Sequence, residues 1–577
     1  MPINPDKKLA GVLIPAFALR RDGDLGIGDT LAMKDAVDFC ARNQIAVLQT
    51  LPINETSGDN SPYNAISSIS LEPCLLTLTP DMVPGLTDEH LANEVPKSGI
   101  DASSHRIDYD KVRALKLNLL KLAYDNFISD EKHPLKAGFE EFKSHHRQWL
   151  EPYSLFKTIM NEHHGNPCWT QWEKELQTVE GAEKWLSAHK ERARLENQRD
   201  FLKFVQWVAY QQWGVVRKNA EEKGVRLMGD IPFGVSRYSA DVWSHQNLFD
   251  LKWAGGAPPE PVFANDEFTR KWGQNWGVPI YNWKANEKEN FGWWKQRVLR
   301  NLDHFHDYRI DHVLGFFRVY GFPWIPERNH EFLELTEEEA EELTGGLLPQ
   351  FLPRSDEEEE DAEQNCLEGS KILKVLGDTA RDCNIVAEDL GIIVPEYLRP
   401  ALHELGMAGF AIPIFERIEE TREFKPMGEH HPLSLATYAT HDHQPIASYY
   451  QGLVDWWHGE DGEEGWKEVQ RLLRLLGLDD EEEPAKEFTD EMHQVFIERL
   501  FESPCWLAVF MITDLLATTQ RFNQPGMSGE ACWTERLAMK LSDFEADPVF
   551  GPRIKRYRDA IVSTNRVSKT PTGVSGG

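Results

Sequence analysis

In each of three short segments of the chain, an apolar, strand-like run ends in a carboxylate residue. Asp311 lies in 308–312, Glu388 in 386–391 and Asp442 in 439–442. A carboxylate at the end of a strand faces a cleft while a rigid element holds it in place. Cleavage of a glycosidic bond needs a pair of carboxylic acids held in this way. We therefore expect a fold that gathers distant strand ends into one site for glycosidic chemistry.

The elements that must position these acids are eight short apolar runs. They cover residues 9–17, 46–53, 225–233, 307–312, 384–390, 409–415, 435–441 and 506–515. Several are followed by helical patterns, such as 30–43 with Asp29 as its N-cap. Alternating helices and near-continuous apolar strands predict a parallel sheet buried on both faces, and eight units predict a closed (β/α)₈ TIM barrel. The alternative is an open doubly wound sheet, but residues 23–28 lack the glycine order of a phosphate turn.

The gaps between the predicted strands are unequal, which indicates insertions into one catalytic barrel domain over 1–563. We predict a helical insertion over 54–224 between strands 2 and 3. An acidic insertion over 326–372 follows strand 4, and a helical insertion over 453–500 follows strand 7. Their acidic runs are typical of solvated helix faces or mobile loops. The tail 564–577 is predicted to be disordered, and no C-terminal β-sandwich is expected.

Composition narrows the class of partner. The 577 residues carry a net charge of −32, which argues against nucleic acid and anionic membrane surfaces and suits a neutral ligand. The chain has nineteen tryptophans, a high count. Tryptophan fills the core in most proteins, yet such an excess also fits stacking on sugar rings. The seven cysteines have no zinc or disulfide-scaffold spacing, and the chain shows neither a signal peptide nor a membrane span. We expect a cytoplasmic protein with no metal site.

The barrel places the acids close together. Asp311 ends strand four and Glu388 ends strand five, and neighbouring strands lie about 4.8 Å apart. Their carboxylates can therefore lie about 5–5.5 Å apart, the spacing of a retaining glycosidase. Arg309 shares the strand face of Asp311 and would keep it ionised, whereas an acid catalyst at Glu388 needs a raised pKa. His312 and His441 flank this group.

Ten short motifs, taken in order, resemble those of one family. They lie at 61–63, 229–232, 239–243, 256–259, 273–277, 281–283, 309–312, 387–391, 440–442 and 521–526. The chain resembles the amylomaltases, the 4-α-glucanotransferases or disproportionating enzymes of glycoside hydrolase family 77 in the α-amylase clan. The residues after Asp311 and the acidic insertion are similar to the plant cytosolic type, without its starch-binding modules.

The resemblance implies a role for each site residue. Asp311 would be the nucleophile, Glu388 the acid/base, and Asp442 the third carboxylate that holds sugar hydroxyls. An acceptor-side loop over 254–283 would cover the cleft, and Asn523 would be structural. The substrate-binding residues implied are Tyr63, Asp241, Gln274, Trp276, Arg309, His312 and His441.

The predicted activity follows from these roles. A retaining enzyme would move α-1,4-glucan segments from a donor glucan or maltooligosaccharide to the 4-hydroxyl of an acceptor glucan or glucose, through a covalent intermediate. No cofactor or metal is implied, and the histidines beside Asp442 are interpreted as sugar contacts. The alternatives are a retaining α-glucan hydrolase and a non-catalytic glucan-binding protein. A further role of 326–372 in binding a partner protein also stays open.

Overall fold

The computed structural model describes residues 3–56, 58–259, 266–391, 393–525 and 532–567. Within these residues the strands are β1 (Leu9–Leu13), β2 (Val47–Gln49), β3 (Arg226–Ile231), β4 (Phe249–Ala257), β5 (Gln274–Tyr281), β6 (Asp307–Ile310), β7 (Val319–Phe322), β8 (Gln350–Leu352), β9 (Ile385–Ala387), β10 (Gly409–Ala411), β11 (Ser434–Ala436) and β12 (Leu507–Met511). The α-helices are α1 (Thr30–Arg42), α2 (Asp88–Glu94), α3 (Tyr109–Ser129), α4 (Lys136–His145), α5 (Arg147–Glu162), α6 (Val179–Ala188), α7 (Arg192–Lys223), α8 (Ala240–Ser244), α9 (Glu267–Trp272), α10 (Trp283–Lys288), α11 (Gly292–Leu302), α12 (Asn329–Phe332), α13 (Glu337–Thr344), α14 (Glu359–Ala380), α15 (Leu398–Glu404), α16 (Ile446–Trp457), α17 (Gly462–Leu475), α18 (Asp490–Glu502), α19 (Ile512–Leu515), α20 (Leu541–Ala546) and α21 (Phe550–Ser563).

Eight strands form one parallel sheet in the order β10-β11-β12-β1-β2-β3-β6-β9. The sheet closes on itself, because the N–H of Ala387 donates to Ala408 and the N–H of Ala408 donates to Ile385, which joins β9 to β10. Seven of the eight strands fall within the runs predicted from the sequence, and β11 begins one residue before its run of 435–441. The predicted (β/α)₈ barrel is confirmed.

The local sequence explains how these elements begin and end. The barrel strands are buried along almost their whole length, as expected when side chains fill the interior and helices cover the outside. Helix α1 begins after Asp29, whose carboxylate accepts the N–H of Ala32 as predicted. Helix α7 ends at Gly224, whose φ of +69° turns the chain into β3. The core therefore lies inside the barrel and beneath its helices.

A second, smaller sheet lies outside the barrel. Its strands are antiparallel in the order β5-β4-β7-β8. Much of 254–283, expected as a loop, forms the end of β4, α9 and all of β5, while residues 260–265 lie outside the described residues. At Gly256 a side chain would collide with the carbonyl of Gln274, so β4 and β5 approach through glycine. Apolar alternation does not mark such strands.

Two other long segments between barrel strands are mainly helical, whereas the acidic segment 326–372 contains β8 as well as helices. The segment between β2 and β3 contains α2–α7, and the segment between β11 and β12 contains α16–α18. The tail begins later than expected: Arg566 is fully buried and donates to the carbonyls of Phe501 and Ser503, which contradicts disorder from residue 564. Residues 568–577 lie outside the described residues. No helix in the described parts of the chain is long and apolar enough to span a bilayer.

Candidate active site

Neighbouring barrel strands hold two of the predicted carboxylates at their C-terminal ends. Asp311 directly follows β6 and Glu388 directly follows β9. The N–H of Asp311 donates to the carbonyl of Ile231 at 3.0 Å, and the N–H of Glu388 donates to that of Ile310 at 2.8 Å. Because each backbone is hydrogen-bonded to the preceding barrel strand, both side chains start from rigid positions.

A single guanidinium lies between the two acids. Nη2 of Arg309 is 2.8 Å from Oδ1 of Asp311 and 3.6 Å from Oε2 of Glu388. The two oxygens are therefore at most 6.4 Å apart, the sum of those two distances. Inverting glycosidases separate their carboxyl groups by about 6.5–9.5 Å and retaining ones by about 5–5.5 Å. The limit applies to one oxygen of each acid and admits the retaining spacing.

Arg309 is itself fixed by Asp230, at the C-terminal part of β3. Nη1 of Arg309 lies 2.6 Å from Oδ2 of Asp230, and the two side chains are only 4% and 1% exposed. The hydroxyl of Tyr63 donates to the same oxygen at 2.7 Å. Burial raises the pKa of Asp230, and Arg309 acts in the opposite direction. Asp230 was missed among the candidate residues, although it too is a carboxylate near the end of a predicted strand.

The environment of Glu388 favours its protonated form. The pKa of Glu388 is raised to about 8, chiefly by burial; Arg309 lowers it and the negative charge of Asp311 raises it. The N–H of His312 donates to Oε2 of Glu388 at 2.6 Å and also lowers the pKa. At neutral pH Glu388 therefore carries the proton that a general acid needs.

The third carboxylate, Asp442, lies in the loop after β11. Nδ2 of Asn523 donates to Oδ1 of Asp442 at 2.6 Å, and Nε2 of His441 lies 3.3 Å from its Oδ2. Burial alone would raise the pKa of Asp442, but His441 and Asn523 together hold it below its usual value. Nη2 of Arg521 donates to the Asp442 carbonyl at 2.9 Å. Asn523, expected to be structural, thus contacts a site carboxylate directly.

Aromatic rings surround the acids on two sides. On one side Tyr63 stacks on His441, with centroids 5.0 Å apart and planes 13° apart, and Trp533 lies 5.9 Å from both rings. On the other side Trp276 meets His312 edge to face at 4.8 Å. Trp533 was missed because a single tryptophan outside any motif is read as core.

The Trp276 side is more open than the Tyr63 side. Trp276 is 40% exposed, and its Nε1 donates to Oε1 of Gln274 at 3.2 Å. His312 has a left-handed φ of +45°, which turns the chain after Asp311. Burial lowers the pKa of His312 to about 4, so its imidazole is neutral at pH 7. Gln274, Trp276 and His312 therefore form one uncharged wall beside Asp311.

Asp241 is placed differently from the other predicted residues. Both of its carboxylate oxygens accept hydrogen bonds from the protein: Ser68 donates its N–H at 2.7 Å and its hydroxyl at 2.8 Å, and Trp293 donates Nε1 at 3.1 Å. Asp241 thus supports the segment that follows Tyr63. Its hydrogen bonds in the described residues go to Ser68 and Trp293 and not to the three carboxylates.

Metal chemistry has no candidate site in the described ranges, since no three His, Cys, Asp or Glu side chains there are arranged to hold an ion. The residues that do converge are the three carboxylates, Arg309 and the two histidines. Their geometry serves proton transfer and covalent catalysis by carboxylates.

Known proteins share both the sequence and the fold. A 4-alpha-glucanotransferase of Chlamydia pneumoniae is 28% identical over 566 residues, which cover 95% of this chain and 94% of the relative. The 4-alpha-glucanotransferase DPE2 of Oryza sativa subsp. japonica is 25% identical over 639 residues, which cover 89% of this chain and 64% of that protein. Among solved structures, an amylomaltase from Streptococcus agalactiae in complex with acarbose has a TM-score of 0.73 and 22% identity, covering 97% of this chain and all of that one.

The match to a family extends over most of the chain. Residues 14–541 match the sequence model of glycoside hydrolase family 77, described as 4-alpha-glucanotransferase. That range includes seven of the eight barrel strands, all but β1, together with every carboxylate of the site. The chain therefore belongs to the 4-alpha-glucanotransferases of glycoside hydrolase family 77 and has their activity.

Proposed function

We propose that the chain transfers α-glucan segments by a retaining double displacement. The observation that carries this proposal is the position of Arg309, which contacts both acids and limits the distance from Oδ1 of Asp311 to Oε2 of Glu388 to 6.4 Å. Asp311, paired with Arg309, attacks the anomeric carbon and forms a glycosyl ester. Glu388 gives its proton to the departing glycosidic oxygen, so the leaving glucan departs with a new hydroxyl.

The second displacement reverses the roles. Glu388, now ionised, takes the proton from the 4-hydroxyl of an acceptor glucan while that oxygen attacks the anomeric carbon. The ester bond to Asp311 breaks, and both side chains return to their starting states. Two inversions give net retention. Asp442 and His441 hold the hydroxyls of the sugar under attack, and Tyr63 packs beneath it.

The donors are α-1,4-glucans and maltooligosaccharides, and glucose also serves as an acceptor. Two features support this substrate class. The solved amylomaltase relative is described in complex with acarbose, and the exposed ring of Trp276 offers a stacking face beside Asp311. Gln274 and His312 lie along the same wall and would contact the acceptor side. The described cysteines are free thiols, which suits a reaction in the cytoplasm.

Incubation of the pure protein with maltotriose tests the proposal. Transfer yields glucose together with a ladder of longer maltooligosaccharides, because each displaced segment is rejoined to another chain. A hydrolase would give shorter products and no chain longer than three units. Asp311→Asn is the matched control, since it keeps the size of the side chain and removes the nucleophile. Shortening alone, or full activity in Asp311→Asn, contradicts the proposed mechanism.

A further inference from the structure

A second carboxylate, Asp389, directly follows Glu388 in the motif at 387–391. Its side chain is only 1% exposed. Oδ1 of Asp389 accepts the N–H of Phe410 in β10 at 2.8 Å, and Oδ2 accepts Nε–H of Arg399 in α15 at 2.7 Å. Both of its oxygens therefore bind protein groups on elements that follow Glu388 in the chain.

Asp389 continues the closure of the barrel where the backbone bonds between β9 and β10 give way to a side chain. The N–H of Ala387 donates to the carbonyl of Ala408 at 2.7 Å. In a regular parallel ladder the next bond would run from the N–H of Phe410 to the carbonyl of Ala387, but that N–H donates to Asp389. The carboxylate thus replaces the strand pairing one residue beyond Glu388.

Three other hydrogen bonds hold Glu388 from the side of β6. Its N–H donates to the carbonyl of Ile310 at 2.8 Å, and its carbonyl accepts the N–H of Val313 at 3.0 Å. Its Oε2 accepts the N–H of His312 at 2.6 Å. Because these partners all lie at the end of β6, Asp389 supplies the support from the opposite neighbour, β10.

Close packing fixes Asp389 itself. A Cβ at Gly409 would lie 2.8 Å from Oδ2 of Asp389, so the carboxylate rests on a part of β10 that has no side chain. Arg399 is held in turn by Glu416, whose Oε2 lies 3.5 Å from its Nη1. The carboxylate therefore ties the end of β9 to both β10 and α15.

We propose that Asp389 is the positioning residue of the acid/base Glu388. Its carboxylate fixes the backbone directly after Glu388 and so sets where the carboxyl group of Glu388 meets the glycosidic oxygen and the acceptor hydroxyl. A misplacement of about 1 Å slows such a step about a hundredfold. Loss of Asp389 therefore impairs proton transfer in both displacements and leaves the attack by Asp311 intact. The inference rests on the proposed role of Glu388.

The test compares a substrate pair that needs proton transfer with one that does not. Maltotriose needs a proton on its leaving oxygen and the removal of another from its acceptor hydroxyl. α-Maltosyl fluoride with azide needs neither, because fluoride leaves as an anion when Asp311 forms the ester, and azide then displaces Asp311 to give maltosyl azide. Asp389→Ala should lower kcat for maltotriose about a hundredfold with KM nearly unchanged, and it should keep the wild-type rate with fluoride and azide.

Two further variants change the same contact in different ways. Gly409→Ala places a methyl group 2.8 Å from Oδ2 of Asp389 and should show the same selective loss with maltotriose. Asp389→Asn keeps an oxygen for the N–H of Phe410 and should lose less activity on maltotriose than Asp389→Ala. A Gly409→Ala protein with wild-type kcat for maltotriose contradicts the proposal.

Asp307→Ala is the matched control at the other end of the barrel. Asp307 is fully buried, pairs with Arg226 at 2.6 Å and accepts the N–H of Asn384, just before β9, at 2.8 Å. It begins β6, at the end of the barrel away from the acids. Its loss should lower stability and leave the ratio of the two rates unchanged.

The outcomes separate this inference from the proposed function. An equal loss with both substrate pairs in Asp389→Ala overturns the inference, and so does an unchanged kcat for maltotriose. Glu388→Gln tests the acid/base itself: it should be inactive on maltotriose and active on α-maltosyl fluoride with azide. If fluoride and azide do not restore Glu388→Gln, the proposed role of Glu388 fails, whatever the result with Asp389→Ala.

Discussion

Replacement of Asp311 by asparagine should lower the pKa of Glu388, even though Asp311 is not bonded to it. The wild-type pKa of about 8 is raised first by burial and then by the negative charge of Asp311. Asparagine has the same shape and no charge, so it removes the second contribution and leaves burial nearly unchanged. Arg309 then attracts the carboxylate of Glu388 with less competition.

The size of the shift follows from the distance limit. Two unit charges 6.4 Å apart interact by about 2.6 kcal/mol at an effective dielectric constant of about 20. This energy corresponds to about 1.9 pKa units. The pKa of Glu388 in Asp311→Asn should therefore lie near 6.

Infrared difference spectra against pH measure this pKa directly, because the protonated carboxyl group absorbs apart from the carboxylate. Glu388→Gln identifies the band that belongs to Glu388. Asp81→Asn serves as the control for loss of one exposed carboxylate elsewhere on the surface. The reasoning predicts a midpoint near pH 8 in the wild type and near 6 in Asp311→Asn. An unmoved or higher midpoint would refute the close pairing of the two acids.

Three further predictions address the site and its support. Above about pH 8, where Glu388 loses its proton, kcat/KM for maltotriose should fall tenfold per pH unit. A pH–rate profile that stays flat to pH 9 would contradict this. Asp230→Asn removes the 2.6 Å ion pair that fixes Arg309. Because Arg309 then no longer positions the two acids, kcat should fall about a hundredfold. A near-normal kcat would show that Asp230 is dispensable. Asp514 accepts the N–H of Ile446, and burial raises its pKa from 3.8 to about 7. Between about pH 4 and pH 7 the folded protein therefore keeps a proton on Asp514 that the unfolded protein releases. The free energy of unfolding declines as pH rises through this range. Asp514→Asn should remove that decline. Its free energy of unfolding, measured in urea, should exceed that of the wild type by about 4 kcal/mol at pH 8 and equal it at pH 4. Equal free energies of unfolding of the two proteins at both pH values would contradict this expectation.

Strand positions were predictable because barrel strands are buried on both faces and read as continuous apolar runs. The same rule identified Asp311 and Glu388, since each is the carboxylate near the end of such a run. Asp230 lies near the end of its predicted run of 225–233 as well, but the sequence reading treats it only as part of a motif. The observed β3 ends at Ile231, one residue after Asp230.

Other features depend on contacts that the sequence does not display. The small antiparallel sheet pairs β4 with β7, which begins more than sixty residues after the end of β4, and β4 contains glycines that weaken any strand pattern. The contact of Asn523 with Asp442 joins segments 81 residues apart. Such pairings are set by tertiary packing, which overrides local propensity.

The most direct test of the account is the identity of the residue that becomes glycosylated. In Glu388→Gln an α-maltosyl fluoride should still react, because fluoride leaves without a proton, whereas the second step lacks its base. A maltosyl ester should therefore accumulate, and mass spectrometry of the intact protein and its peptides should place the maltosyl group on Asp311. No adduct, or an adduct on another side chain, would contradict the assignment of Asp311 as the nucleophile of a retaining transferase.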